Sequence, residues 1–266
     1  MRVHVSHKTV YSYEEPVPYG LQQVRLTPKS RAGQKVISWQ MDITGGNKEL
    51  EFEDQHNNTV ALLSHQDGCS EIAISCVGEV ETADNSGVLG AHGGYAPVWY
   101  FKRETELTKP GAGVKDLVKE LGGGFDDTIS KMHALSALVL DRMTYEIGTT
   151  GIGTTAEDAL KAGRGVCQDH AHAFVSAARL VDIPARYVSG YLMMNDRVEQ
   201  DAGHAWAEVH CGSIGWVGFD VSNGISPDER YVRVATGLDY RDAAPISGVR
   251  AGVGGESMHV EIQVQQ

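Results

Sequence analysis

The stretch "GRGVCQDHAHAFVSAARLVDIPARYVSGYL", residues 163–192, decides the fold. Gly163, Arg164 and Gly165 disfavour a helix before Val166, because glycine loses the most backbone freedom on ordering. From Phe174 and Val175 to Ala178 and Val181 the apolar residues fall at helical spacing, and Pro184 ends the run. "ARYVSGYLMM" then reads as a strand. The spacing therefore predicts a buried helix whose first turn carries a thiol, Cys167, directly after two glycines.

A thiol is a strong nucleophile only as thiolate, and its ordinary pKa of ~8.5 falls at a helix N-terminus or beside an imidazolium. The unpaired N–H groups of a first helical turn carry roughly +0.5 e, which favours an anion there. They also suit the oxyanion of an attacked carbonyl. Gly163 and Gly165 are expected to let a substrate backbone approach Cys167 without obstruction by Cβ atoms.

Two further strand patterns follow, "HAWAEVHC" and "IGWVGFDV", joined by the short "CGSIG". On the first, His204, Trp206, Glu208 and His210 share one face. Gly203 and Ala205 flank the histidine and should leave its imidazole accessible. An acidic residue, Asp220, closes the apolar run "WVGF". With any tight turn between Cys211 and Trp216, the residue opposite His204 falls near 221–223, so Asp220 lies within about two residues of direct pairing. A thiol at a helix start, an imidazole on one strand and a carboxylate on the next have the makings of nucleophile, base and orienting group.

Outward from this segment, residues 1–103 read as short alternating strands: "RVHVSHKTVYSY", "QQVRLTP", "VISWQMDI", "ELEFEDQHNNTVALLS" and "EIAISCVGEVET". Turns at "GGNK" and "HNN" punctuate them, as in an antiparallel β-sandwich. "NSGVLGAHGGYAPVWYFKRET" is glycine-rich and reads as a linker or surface loop, although its Trp99 and Tyr100, like Tyr191, have the bulk to shape a cleft or fill a core. Beyond it come three helical patterns: "GAGVKDLVKELGG", "ISKMHALSALVLDRMTYE" capped by Asp127 or Thr128, and "AEDALKA" capped by Thr154 or Thr155. The tail "SMHVEIQVQQ" is another alternating strand. The expected organisation is α+β: an antiparallel β module over 1–103, and helices packed on an antiparallel sheet over 104–266, with the terminal strand counted in the second unit.

The chain has 266 residues with 23 Lys and Arg against 35 Asp and Glu, a formal charge of −12. That balance disfavours nucleic acid, which is bound by basic surface. No run reaches the ~18 apolar residues of a membrane helix, and the first residues alternate as a strand does, so a cytoplasmic location without membrane attachment is expected. Cys69, Cys76, Cys167 and Cys211 are too sparse for a disulfide framework and read as free thiols. "CQDHAH" raises the question of a metal. Cys167 and His170 share a helix face, but His172 is rotated by about 140° from Cys167. Neither CxxC nor HExxH occurs, so neither metal nor other cofactor is expected, and His170 and His172 are expected to pack or hydrogen-bond within the helix.

The segments "GRGVCQDHAHAFVSAARLVDIPARYVSGYL", "GHAWAEV" and "GWVGFDVSNG" closely resemble the bacterial transglutaminase-like superfamily, whose core is papain-like. The N-terminal "YSYEEPV", "VRLTPKS" and "FEDQHNNTV" resemble the β domain that commonly precedes that core. The resemblance implies catalytic roles for Cys167, His204 and Asp220. Many relatives carry arginine where Leu238 stands in "ATGLDYRD"; Asp239, Tyr240 and Arg241 remain there, either lining the site or packing. The implied chemistry is acyl transfer through a thioester, with Cys167 N–H as one oxyanion donor and Gln168 or Trp206 as candidates for the second. Hydrolysis of peptide or amide bonds is the expected outcome. Cross-linking of protein glutamine to amines and an inactive binding module remain as alternatives. The expected partner is a peptide or protein substrate.

Overall fold

The computed structural model describes residues 1–266. The N-terminal strands are β1 (Arg2–Val17), β2 (Tyr19–Thr27), β3 (Gln34–Thr44), β4 (Gly46–Glu53), β5 (Thr59–His65) and β6 (Cys69–Thr82). A short β7 (Val88–Gly90) precedes helices α1 (Ala112–Leu121) and α2 (Thr128–Arg142). Then come β8 (Thr144–Tyr145), α3 (Ala156–Ala162), β9 (Arg164–Gly165) and the central helix α4 (Cys167–Leu180). The chain ends with β10 (Ala185–Leu192), β11 (Glu199–Gln200), β12 (His204–His210), β13 (Trp216–Phe219), β14 (Tyr231–Gly237), α5 (Tyr240–Ala243), β15 (Ile246–Ala251) and β16 (Glu256–Gln265). The architecture is α+β.

Capping residues start the helices where the sequence places them. Asp127 accepts from the Ser130 N–H at 2.8 Å, and Thr155 accepts from the Asp158 N–H at 3.1 Å. Helix α4 packs against the sheet β14-β10-β12-β13-β7. Its interior positions include Ala173, Ala177 and Ala178, fully buried with Phe174 and Val175 against Ala207 and Val209 of β12. Small side chains let the helix approach the sheet closely, and α1, α2 and α3 cover its other sides through Leu117, Met132, Leu135 and Ala159.

The N-terminal unit is a sandwich of two antiparallel sheets, β11-β16-β1-β6-β3 and β15-β2-β5-β4. Val24, Leu26, Ala61 and Leu63 of one sheet meet Ile74 and Cys76 of the other. The last strand belongs here rather than with the helical unit. β16 pairs along β1 from His4 opposite Gln265 to Tyr13 opposite Glu256, and β15 pairs with β2. The backbone groups of the β1 edge find a ladder only in the returning C-terminal chain, which sequence patterning alone does not reveal.

The glycine-rich segment after β6 also departs from a surface loop. Its β7 pairs with β13, and Ala96 and Phe101 are buried with Trp216 and Leu238. Trp99 is exposed, and Tyr191 lies in the core between sandwich and sheet. Strand β14 is an addition to the sequence reading: all seven of its residues are buried, Arg233 included.

Polar side chains weld the two units. Gln34 donates to the Arg233 carbonyl and accepts from its N–H, each at 2.8 Å. Asn58 does the same at Thr236, at 2.7 and 2.8 Å. Two side-chain amides thus stand in for a neighbouring strand along the open edge of β14. Arg179, 6% exposed in the last turn of α4, donates to the carbonyls of Phe101, Ala185 and Leu238 and to the Thr108 hydroxyl. It ties the strap before α1, the sheet and the segment after β14 to one helix end. Replacing Arg179 with Ala leaves these acceptors buried and unpaired, and should lower unfolding free energy by about 3–5 kcal/mol. Urea unfolding followed by circular dichroism measures this.

Candidate active site

The local sequence around Cys167 solves a problem of helix geometry. Gly163 ends α3 with φ of +66°, a left-handed conformation that glycine adopts without strain. Arg164 and Gly165 then pair in parallel with Thr144 and Tyr145, which fixes the approach to α4. Asp169, in the first turn, folds its carboxylate back to accept from the Val166 N–H at 2.8 Å and from the Thr150 hydroxyl at 2.7 Å. A Cβ on Gly165 would lie 2.6 Å from the Asp169 side chain. The glycine therefore makes room for the capping carboxylate; neither Gly163 nor Gly165 faces the cleft at Cys167, as had been expected for substrate approach. The N–H groups of Asp169 and His170 bond to the Val166 carbonyl, while those of Cys167 and Gln168 have no protein acceptor.

His204 opens β12 and is 7% exposed, more enclosed than its glycine and alanine neighbours suggest. Its Nε2 lies 2.5 Å from Asp220 Oδ2. The register that sets Ala207 opposite Phe219 continues to place residue 222 opposite His204, so Asp220 reaches the ring diagonally. The Asp220 backbone is pinned by its bridge to Ile225. Its fully buried carboxylate also accepts from Tyr231 Oη at 2.7 Å, Asn223 Nδ2 at 2.7 Å and Ser222 Oγ at 2.9 Å. Burial opposes its ionisation, but the His204 hydrogen bond and charge, with Asn223 and Tyr231, win and hold its pKa down to about 2.

Burial likewise opposes charge on His204. Hydrogen bonds and charge from Asp220 and from the Cys167 thiol outweigh it and lift the ring's pKa to about 10. With Nε2 committed to Asp220, Nδ1 is the ring atom left for the thiol. Cys167, buried beside Tyr187, Ala205 and Ala243, lines a cleft of about 270 Å³ together with His204 and Gln168.

The structure thus gathers Cys167, His204 and Gln168 at one cleft, with Asp220 immediately behind the histidine. Trp206 goes elsewhere: its ring stacks beneath His204 at 6.2 Å and meets Tyr231 edge-on, away from the cleft lining. His170 contacts the carbonyls of Val166 and Met143, and His172 Nε2 accepts from the Tyr240 N–H. Burial pushes the His172 pKa down to about 3. Tyr240 lines the cleft, Asp239 caps α5 by accepting from the Arg241 N–H, and Leu238 fills a buried position. The other thiols lie apart from any such pairing. Burial raises Cys76 to about 12 and Cys211 to about 11, and raises Cys69 as well.

The cleft's second wall comes from the sandwich. His7, Thr9 and Tyr11 of β1 and Met258 and Val260 of β16 face Tyr187 and Ser189 of β10. These positions continue the same strand faces whose Val3, Val5, Ile262 and Val264 pack on Val232 and Val234.

A family model described as the transglutaminase-like superfamily matches residues 115–221, and one described as the bacterial transglutaminase-like N-terminal region matches residues 3–81. Residues 115–221 thus form a transglutaminase-like core, preceded by a bacterial transglutaminase-like N-terminal region. An uncharacterized Mycobacterium leprae protein is 29% identical over 279 residues, covering 99% of this chain and 98% of its own. An uncharacterized Mycobacterium tuberculosis protein is 26% identical over 275 residues, covering 93% of this chain and 87% of its own. A solved structure from Cytophaga hutchinsonii, provisionally described as a cysteine protease, superposes with a TM-score of 0.77 at 23% identity, covering 100% of this chain and 91% of that one. The likeness in fold therefore extends through sandwich and core together. The match to a transglutaminase-like core supports, in general terms, a cysteine-dependent enzyme.

The His204 pKa gives a direct check on the site. Since it lies above the ordinary 6.5, the pairing contributes stability that is full below about that pH and declines as pH rises through about 10. Long-range ¹H–¹⁵N NMR should find the ring protonated beyond pH 8, and Asp220→Asn should bring its pKa down toward 6.5.

Proposed function

We propose that this protein is a cysteine hydrolase of peptide or amide bonds, with Cys167 as nucleophile, His204 as acid–base and Asp220 as the group that orients the ring. The observation that carries this reading is the His204–Asp220 contact of 2.5 Å at the rim of the cleft that Cys167 lines. An imidazolium held beside the sulfur favours the thiolate, and the start of α4 adds its partial positive charge.

Thiolate sulfur attacks the carbonyl carbon, and the oxyanion takes hydrogen bonds from the free N–H groups of Cys167 and Gln168. His204 gives its proton to the leaving nitrogen, the C–N bond breaks and a thioester remains. His204 then accepts a proton from water as the water oxygen attacks the thioester; the C–S bond breaks, the acid departs and the thiolate–imidazolium pair returns. Asp220 stays ionised throughout and keeps Nε2–H directed inward, so that Nδ1 addresses the sulfur.

Two measurements test the reading. A peptide electrophile that alkylates active thiols should label the native protein and the Cys211→Ala variant equally, and Cys167→Ala not at all; equal labelling of the two variants would reject the nucleophile. Incubation with glutamine-containing peptides, with and without a primary amine, should release fragments or ammonia without incorporating the amine. Incorporation would assign the protein to cross-linking instead. In the peptide assay Asp220→Asn should lower kcat by ~10²-fold or more with little change in KM.

A further inference from the structure

On the far side of the catalytic sheet from α4 lies a second cavity of about 260 Å³ that shares no residue with the Cys167 cleft. The β2–β3 connection contributes Lys29 and Arg31, and the strap around Gly93 covers one side. Arg186, Arg233 and Trp216 of the sheet form its floor. The chain as a whole carries a formal charge of −12, so a cavity lined by four basic side chains runs against its composition.

The local charges do not balance. Glu208, fully buried, is the one carboxylate that the floor arginines engage. It accepts from Arg186 Nε at 2.6 Å, from Arg233 Nε at 2.6 Å and from Arg233 Nη2 at 3.0 Å. Neighbouring acids are spoken for: Asp228 by Arg230, Glu53 by Lys29, Asp54 by Arg25 and Asp242 by His56. Three guanidiniums therefore face a single carboxylate, leaving an excess of about two positive charges in a largely buried place. Donors are left over as well. The Arg31 Nε is buried without an acceptor, and Arg186 commits only its Nε while its guanidinium carbon sits over the Trp216 ring, 3.8 Å from the centroid. Burial and the charges of Arg233 and Arg186 push the Arg31 pKa down to about 8, and the charge of Glu208 offsets them only in part.

We infer that this cavity is a binding site for a phosphate dianion, free or as a phosphate monoester, held by Arg31, Arg186 and Arg233. A dianion matches the charge excess, and planar guanidinium forks suit its several oxygens. The cavity exceeds the size of the bare ion, which leaves room for the remainder of an ester.

Calorimetric titration of the full-length protein at fixed ionic strength, with inorganic phosphate and with phenyl phosphate as probes and chloride as the blank, tests the site. Saturable one-site binding is expected, unchanged in Cys167→Ala and weakened by at least about ten-fold in Arg31→Gln. Tighter binding of phenyl phosphate would mark the ligand as an ester, and tighter binding of inorganic phosphate as the free ion. Absence of saturable binding up to ~10 mM of either probe, or undiminished binding by a folded Arg31→Gln, would overturn the assignment. Phenylglyoxal modification of the unaltered protein gives an independent readout. Phosphate should slow modification of half-buried Arg31 but not of exposed Arg2, and equal Arg31 rates with and without phosphate would reject the site.

Discussion

A helix start buried inside a protein must place its unpaired amide hydrogens somewhere. At α4 the Asp169 carboxylate takes the Val166 N–H, and the hydrogens of Cys167 and Gln168 are left open at the cleft. Everything around the site follows from keeping that turn in place. Gly165 is small because the capping carboxylate lies where its side chain would be. The alanines of α4 bring it close to β12, which fixes the sulfur relative to His204. At the opposite end Arg179 anchors the same helix to three separate segments. The thiol is thus carried by an element held at both ends, which is what a reacting group needs if its geometry is to survive thermal motion.

The sandwich is structurally inseparable from the core. Its first strand supplies apolar contacts at Val3 and Val5 and then, two residues at a time, the cleft positions His7, Thr9 and Tyr11. The returning β16 repeats the pattern with Ile262, Val264, Met258 and Val260. Gln34 and Asn58 close the exposed edge of β14 by mimicking strand partners. Together these contacts build one wall of the cleft from residues distant in sequence from the thiol.

Much of the core was legible from local pattern. The helix over residues 167–180 shows in its apolar spacing and the following Pro184, and the caps Asp127 and Thr155 sit where their side chains accept the first amide hydrogens. The nearness of Asp220 to His204 follows from strand pairing across a short turn. Strand β14 was less legible because Arg233 interrupts its apolar run, and the compensating Glu208 lies on another strand. Asp169 reads as an ordinary acidic residue in a first turn until its bond to the Val166 N–H is seen. Trp206 shares a strand face with His204, yet it sits one step further along the strand, stacked on the ring and packed edge-on against Tyr231, outside the cleft.

By itself the sequence determined the helix that begins at Cys167, the strands that carry His204 and Asp220, and the alternating N-terminal strands, since each rests on periodicity and capping within a dozen or so residues. Only the tertiary structure decided that the C-terminal strand completes the first sheet, that β1 and β16 wall the cleft, and that three arginines gather around one glutamate. Those features arise from contacts between residues far apart along the chain. They are set by which buried backbone edges and charges must find partners, a condition that no local pattern of residues records.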